Sequence, residues 1–456
     1  MKKFLSLSVA TLLIAGAMTT SCSDNDKTDG PGIPKPGETG VRITVVDNSI
    51  ETRAYNGTEP TEAGETQLAS TLSVYVYDKN GAFEYQEAAL PLDPLTLKTD
   101  IFKVPDGDKY FYIFSNGQTR PVSQAQNMVD METQKIQVDF DKNRPKPAAD
   151  FDAMAIGTLW RGDHNERGNL RNIEGNKYGG EPVPIKLEVG RAVAKIRLVD
   201  IKKETVPGTS PLTGSFANAA YRLRSVPVEY YLVGQLDGSG NYPPTTGLRY
   251  FSAVHDLGPG TSGTPSDKFV DYFWGPDELT PSPTTHYYAI ENTTQKMTSE
   301  NVNEEHLFYG NTTYIQFRIE YTTGPNEVYD HTTAPTTPMA NGLGVNADFW
   351  SGLYNGERLI FDGDPSGISG VTDVKSYKGG VMYYKFPVRD PREIGTERQC
   401  CVIRNHYYEI NVNNIFNLGE PDDEVDPEEP IDPTDTDVQI EVKVLEWFKV
   451  EQGEDL

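Results

Sequence analysis

Two single residues carry the covalent chemistry this sequence could undergo, Cys22 at the end of an apolar N-terminal run and Arg53 in an acidic loop. Lys2 and Lys3, the run "FLSLSVATLLIAGAM" and the small residues of "TTSC" read as an export signal over residues 1–21. A lone cysteine at that point is the acceptor expected of lipoprotein processing, in which its thiol takes a diacylglycerol and it becomes the new N-terminus. Thr19 stands where such sites usually carry Leu. No other apolar segment approaches bilayer-spanning length, so lipid on Cys22 is the expected anchor. Arg53 is the only basic residue between Arg42 and Lys79, and the loop after it is acidic, polar and Gly-containing. Such a loop is exposed and open to a protease. Arg42, the rival, lies within a strand pattern where a protease binds poorly.

Other chemistry finds little support in the residue pattern. The six histidines show no paired spacing such as HExxH, and there is no G-x-S-x-G elbow or P-loop. Cys400 and Cys401 are adjacent on a strand-like run, so they point to opposite faces and read as small buried hydrophobes. The "DGD" turns at Asp106–Asp108 and Asp362–Asp364 lack the full calcium-loop pattern and are explained by turn chemistry. "RGD" at Arg161–Asp163 is a three-residue match of common types, of low weight as an adhesion motif. The expectation is a protein that is not an enzyme and needs no metal or other cofactor. A formal charge of −26 excludes nucleic acid as a bulk partner, since nothing would neutralise phosphates.

The elements that would position Cys22 and Arg53 are strands. With 25 Tyr, 18 Phe, 41 Gly and 32 Pro and hardly a 3.6-residue period, the chain reads as all-β with many loops. After a polar tether and the linker "GPGIPKPGETG", Val41, Ile43 and Val45 alternate with Arg42 and Thr44. A second strand, "TLSVYVYD", follows the Arg53 loop. "KYFYIFSN", "KIQVDF" and "PIKLEV" continue the pattern, and "PVSQAQNMVDMETQ" is the best short helix. A second set of strands runs from "VGRAVAKIRLVD" through "VEYYLVG", "LRYFSAV", "HYYAIEN", "YIQFRIEY" and "VMYYKFPV" to "HYYEINVNNI". Each buries one face, which calls for pairs of packed sheets. The boundary between two domains falls near Gly190.

Residues 420–437 hold ten acids, four prolines and no base, a composition expected to stay extended and solvated as a spacer. Beyond it, "VQIEVKVLEWFKV" places Val438, Ile440, Val442, Val444, Phe448 and Val450 on one face, interrupted by Glu446. A strand with one apolar face needs a sheet, and a sheet that loses a strand needs one back. The two ends of this chain supply one of each.

In this order the landmarks resemble the fimbrillins, the shaft subunits of type V fimbriae, and among them the major subunit of the short fimbriae. The landmarks are Cys22, the strand before Arg53, "VGRAVAKIRL", "KGGVMYYKF", "VIRNHYYEINVNNI", the acidic spacer and "EVKVLEW". The resemblance implies two transthyretin-like β-sandwich domains, residues 54–189 and 190–419, behind a propeptide of residues 22–53. It implies an Arg-specific surface protease cutting between Arg53 and Ala54. The temporary strand bearing Val41, Ile43 and Val45 then leaves, and the donor strand of a neighbouring subunit, residues 438–456, fills the groove. The implied partners are further copies of the chain, accessory anchor and tip subunits, receptors on host or bacterial surfaces, and the outer membrane through the precursor's lipid. The implied role is adhesion and biofilm formation within a fimbrium at the cell surface. The competing expectation is a monomeric surface lipoprotein that binds a host protein or glycan through aromatic-rich loops.

Overall fold

The computed structural model describes residues 38–47, 71–93, 95–115, 126–132, 134–137, 157–158, 170–173, 182–190, 193–201, 212–233, 269–271, 279–282, 286–293, 308–391, 400–404, 406–431 and 438–446. Cys22, Arg53, Ala54, Phe448, Val450, the Arg161–Asp163 tripeptide and "LRYFSAV" lie outside them.

In the N-terminal half the strands are β1 (Glu38–Asp47), β2 (Thr71–Asp78), β3 (Phe83–Pro91), β4 (Phe102–Pro105), β5 (Gly107–Ser115), β6 (Lys135–Gln137), β7 (Gly157–Thr158), β8 (Leu170–Ile173) and β9 (Val183–Gly190). All but β6 join one hydrogen-bonded sheet ordered β3-β2-β5-β7-β9-β1-β4, with β8 added on β5. The sheet curls, so that Val41, Ile43 and Val45 of β1 share a core with Val74 and Val76 of β2 and Ile113 of β5. Alternation along β2 predicts one buried face, yet both are buried, Tyr75 and Tyr77 included. The reason is a second cluster behind the sheet, where these tyrosines and Tyr112 meet Met128 and Met131. Those methionines sit on α1 (Met128–Glu132), a helix shorter than the sequence suggests. Asn127 caps it by accepting from the Asp130 N–H at 2.9 Å.

The C-terminal half begins with β10 (Val193–Ile201), three residues after β9 ends in the first sheet. It continues with β11 (Ser215–Arg224), β12 (Val226–Pro227), β13 (Glu229–Tyr231), β14 (Phe269–Val270), β15 (Tyr287–Ile290), β16 (Asn292–Thr293), β17 (Tyr314–Thr322), β18 (Val328–Tyr329), β19 (Phe349–Tyr354), β20 (Glu357–Phe361), β21 (Val371–Tyr377), β22 (Val381–Pro387), β23 (Cys401–Val402), β24 (His406–Ile415) and β25 (Val438–Glu446). A sheet β15-β10-β24-β25 faces a sheet β11-β17-β22 across one apolar core. A further sheet, β18-β20-β19-β21, adds Val328, Phe349, Ile360 and Tyr377 to that core. Its β19–β20 hairpin turns at Asn355 and Gly356, both at positive φ (52° and 85°), as a two-residue Asn-Gly turn requires. The halves are joined by β6, which pairs antiparallel with β13, and by Leu232 and Val233, which enter the cluster around α1. Most of the described chain is strand, the all-β architecture that composition implies.

Cys400 and Cys401 are free and buried in separate apolar clusters, as opposite-facing neighbours should be. Burial pushes the Cys400 thiol up to about 11, against the opposing influence of Arg389.

Candidate functional site

The residues that sequence reading singles out at the two ends form two strands held in different ways. β1 is flanked on both sides. It runs parallel to β9 in the register Val41↔Val183 through Asp47↔Val189, and antiparallel to β4 from Glu38↔Pro105 to Val41↔Phe102. Beyond β4 the ladder is continued by residues 97–99. The Val45 N–H donates to the Leu97 carbonyl at 2.9 Å, and the Thr99 N–H donates to the Ile43 carbonyl at 2.9 Å. The Thr99 hydroxyl accepts from the Ile43 N–H at 3.0 Å. The Thr39 hydroxyl donates to Asp106 in the turn after β4. Val41, Ile43 and Val45 are 0%, 0% and 2% exposed, while Arg42, the rival cleavage site, is half-buried within the strand. The sequence marks Asp106 only as a turn residue and gives no sign of Thr99, because their roles beside β1 lie in a pairing that only the fold creates.

Among the described residues, β25 has one strand neighbour. It pairs antiparallel with β24, from His406↔Glu446 to Ile415↔Val438, at the border of its sheet. Val438, Ile440, Val442 and Val444 lean on the sandwich core but are only half-buried, and Gln439, Glu441 and Lys443 between them are exposed. The alternation expected from the sequence is present, and its apolar row is incompletely covered. A likeness emerges once the two strands are set side by side. "VRITV" at 41–45 and "VQIEV" at 438–442 carry the same Val-x-Ile-x-Val pattern.

Residues 420–431, expected to be a solvated spacer, instead lie as a strap across the outside of the β11-β17-β22 sheet. Their side chains alternate strictly. Pro421, Asp423, Val425, Pro427 and Glu429 turn inward, Ile431 is buried, and Asp422, Glu424, Asp426, Glu428 and Pro430 are exposed. Composition averages over this period of two, which is why charge density misreads the segment. Glu420 and Tyr383 exchange backbone hydrogen bonds of 2.8 and 2.9 Å, and the Tyr309 and Gly310 N–H groups donate to the Glu429 and Pro427 carbonyls. Asp423 accepts from Arg222 at 2.9 Å. Its carbonyl takes Arg224 and Gln316, each at 3.1 Å. Glu429 pairs with Lys385, whose ammonium lies 4.6 Å from the Tyr309 ring centre. Val425 and Ile431 complete a cluster with Tyr309, Tyr314 and Cys400. The strap explains why Gln316 is buried although it lies on the polar face of "YIQFRIEY". Burial lowers the Arg222 pKa, and Arg224 alongside adds to it. For Arg224, burial acts in the same sense but is outweighed by the hydrogen bond and charge of Asp271, so its pKa is raised.

Elsewhere, Asp330, His331 and Asp362 gather near the small sheet, where His331 Nδ1 and an Asp362 oxygen are 2.8 Å apart. That hydrogen bond occupies the ring nitrogen nearest the carboxylate.

The class of protein defined by these features is an all-β chain whose first described strand is buried within one sheet and whose last borders another. Residues 375–453, from β21 to beyond β25, match the family described as "Major fimbrial subunit protein type IV, Fimbrillin, C-terminal". The match is confined to that C-terminal part of the chain. Among solved structures, a fimbrilin from Porphyromonas gingivalis W83 is similar at 14% identity, over 91% of this chain and 99% of the other, with a TM-score of 0.50. A cell adhesion protein from Parabacteroides distasonis ATCC 8503 is similar at 17% identity, over 91% and 100% of the two chains, with a TM-score of 0.47. The tip fimbrial protein Mfa3 from Porphyromonas gingivalis has 13% identity over 90% and 100%, with a TM-score of 0.34. At these identities the likeness is one of fold, carried by the first of the three. No curated protein matches the sequence.

Proposed function

We propose that this chain is a structural subunit of a cell-surface fimbria that polymerises by exchanging β1 for the C-terminal strand of a neighbouring copy. In this reading the precursor is a lipoprotein held to the outer membrane through Cys22. An Arg-specific protease cuts after Arg53, the mature chain begins at Ala54, and β1 leaves. The observation that carries the proposal is the shared Val-x-Ile-x-Val pattern, fully buried in β1 and half-buried in β25. A slot that accepts Val41, Ile43 and Val45 is already shaped for Val438, Ile440 and Val442. Moving each aliphatic from half-buried to fully buried is worth roughly 1 kcal/mol, and the strand gains a second ladder of hydrogen bonds. Exchange therefore runs downhill once the slot is empty, and reversal requires many contacts to break together. The mixed flanking of the slot, parallel on β9 and antiparallel on β4, fixes the direction in which a replacement must lie.

The test treats purified precursor with an Arg-specific protease and looks for a ladder of heat-sensitive oligomers on a denaturing gel. Wild type is expected to give the ladder, whereas Arg53→Ala and a chain lacking residues 438–456 are expected to stay monomeric. Polymers from both altered chains, or only clipped monomer from wild type, would overturn the proposal.

A further inference from the structure

We propose that the strap, residues 420–431, remains seated on its own subunit when β25 is donated, so that the C-terminal arm pivots at Ile431 rather than at Glu420. This inference rests on the strand-exchange reading and adds to it the geometry of the link between subunits. Three independent kinds of contact hold the strap, and none involves β25. The backbone bonds use Tyr383, Tyr309 and Gly310, the ion pairs use Arg222 and Lys385, and the apolar contact places Ile431 at 1% exposure beside Tyr309, Tyr314 and Cys400. β25 lies against the other sheet of the sandwich, on β24. Among the described residues, its departure removes none of these contacts. The seat is also fitted to the strap's backbone. A Cβ at Gly310 would stand 2.7 Å from the Pro427 carbonyl oxygen and 2.8 Å from its Cβ, so only glycine lets the strap come this close.

The consequence is a short arm. From Ile431 to Val438 a fully extended chain spans at most about 25 Å, whereas a spacer free from Glu420 would span about 60 Å. A receiving slot must then lie close to the donor's C-terminal half, which stacks subunits tightly instead of stringing them as beads. The four outward acids, Asp422, Glu424, Asp426 and Glu428, keep the strap's outer face soluble while it stays in place.

The experiment uses the full chain. Replacing Val438, Ile440, Val442 and Val444 together by Asp places four carboxylates in the apolar row of β25 and undocks it. The amides of Gly310, Tyr383 and Glu420 are expected to keep their wild-type hydrogen-exchange protection, and Cys400 to remain at least ten-fold slower toward a thiol reagent than in the unfolded chain. Loss of that protection together with β25 would overturn the proposal, whether or not the protein polymerises. Gly310→Leu is the converse. It is expected to speed Cys400 labelling ten-fold or more while β25 amides stay protected, and, where wild type forms polymers, to give visibly more flexible ones in electron micrographs. Unchanged labelling in Gly310→Leu would also overturn the proposal, and failure of wild type to polymerise would count against strand exchange alone.

Discussion

The first and last described strands have the same apolar pattern and opposite circumstances. β1 is paired on both sides with Val41, Ile43 and Val45 sealed in, while β25 borders its sheet with the equivalent row half-open. Identical side chains therefore contribute differently, because burial and second-side pairing are properties of the slot. Under the proposed exchange, the stronger slot holds the strand that proteolysis would free, and the weaker slot holds the strand that would move without a cut.

The contrast is most sharply broken by burying a charge. Ile43→Asp is expected to cost about 4 kcal/mol or more and to unfold the N-terminal half, since the carboxylate has neither water nor a partner there. Ile440→Asp is expected to cost about 1 kcal/mol, because its side chain reaches solvent. Urea denaturation of the uncleaved chain measures both, and equal losses would show that the two slots are not different. A smaller effect is expected from the side-chain contacts of the two strands. Thr99→Val removes the acceptor of the buried Ile43 N–H and should cost about 1–2 kcal/mol. Asn413→Ala, which removes an exposed 3.4 Å contact to Glu441 on β25, should stay within about 0.5 kcal/mol.

The smallest effect is one of pH. Hydrogen bonds from the Leu95 N–H and the Thr96 hydroxyl hold the Asp93 pKa below its ordinary 3.8. Asp93 starts the turn whose Leu97 carbonyl accepts from Val45. A carboxylate depressed on folding stabilises above its unfolded pKa and loses that contribution as pH falls through the folded value. The protection factor of the Val45 amide is accordingly expected to drop below about pH 4, with that of Val442 in β25 unchanged. A parallel drop in both would indicate general acid loosening and remove the distinction.

Much of this contrast was legible in the sequence, and the exceptions share a cause. Period-two alternation marks β1, β17, β24 and β25, because each has one face on a core. It undervalues β2, whose tyrosines are buried by α1 and by Leu232 and Val233 from the other half of the chain. The β19–β20 hairpin carries an Asn-Gly turn signal, but its flanking strands are short and alternate weakly. The seating of the strap is hidden from composition because ten acids in residues 420–437 outweigh, on average, the inward row of Pro421, Asp423, Val425, Pro427, Glu429 and Ile431. Its seat, with Arg222 and Lys385, comes from strands β11 and β22, distant in sequence, and no local pattern announces it. At the N-terminal site, the apolar row of β1 is visible in its own residues, but the flanking by β9, β4 and Thr99 is a fact of topology.

The parallel pairing of β1 with β9 also sets an order of construction. Val41 meets Val183, about 140 residues further along the chain, so closing that contact carries one of the larger loop entropies in the sheet. For a chain emerging N-terminus first, β1 is the earliest of the described strands and cannot be flanked on this side until β9 has followed it. The run β3-β2-β5-β7-β9 is joined without it. Only β4 depends on β1 for its place in that sheet. The oldest of the described strands is thus the last to be enclosed, and taking it away would return most of the sheet to a stage it can reach without it.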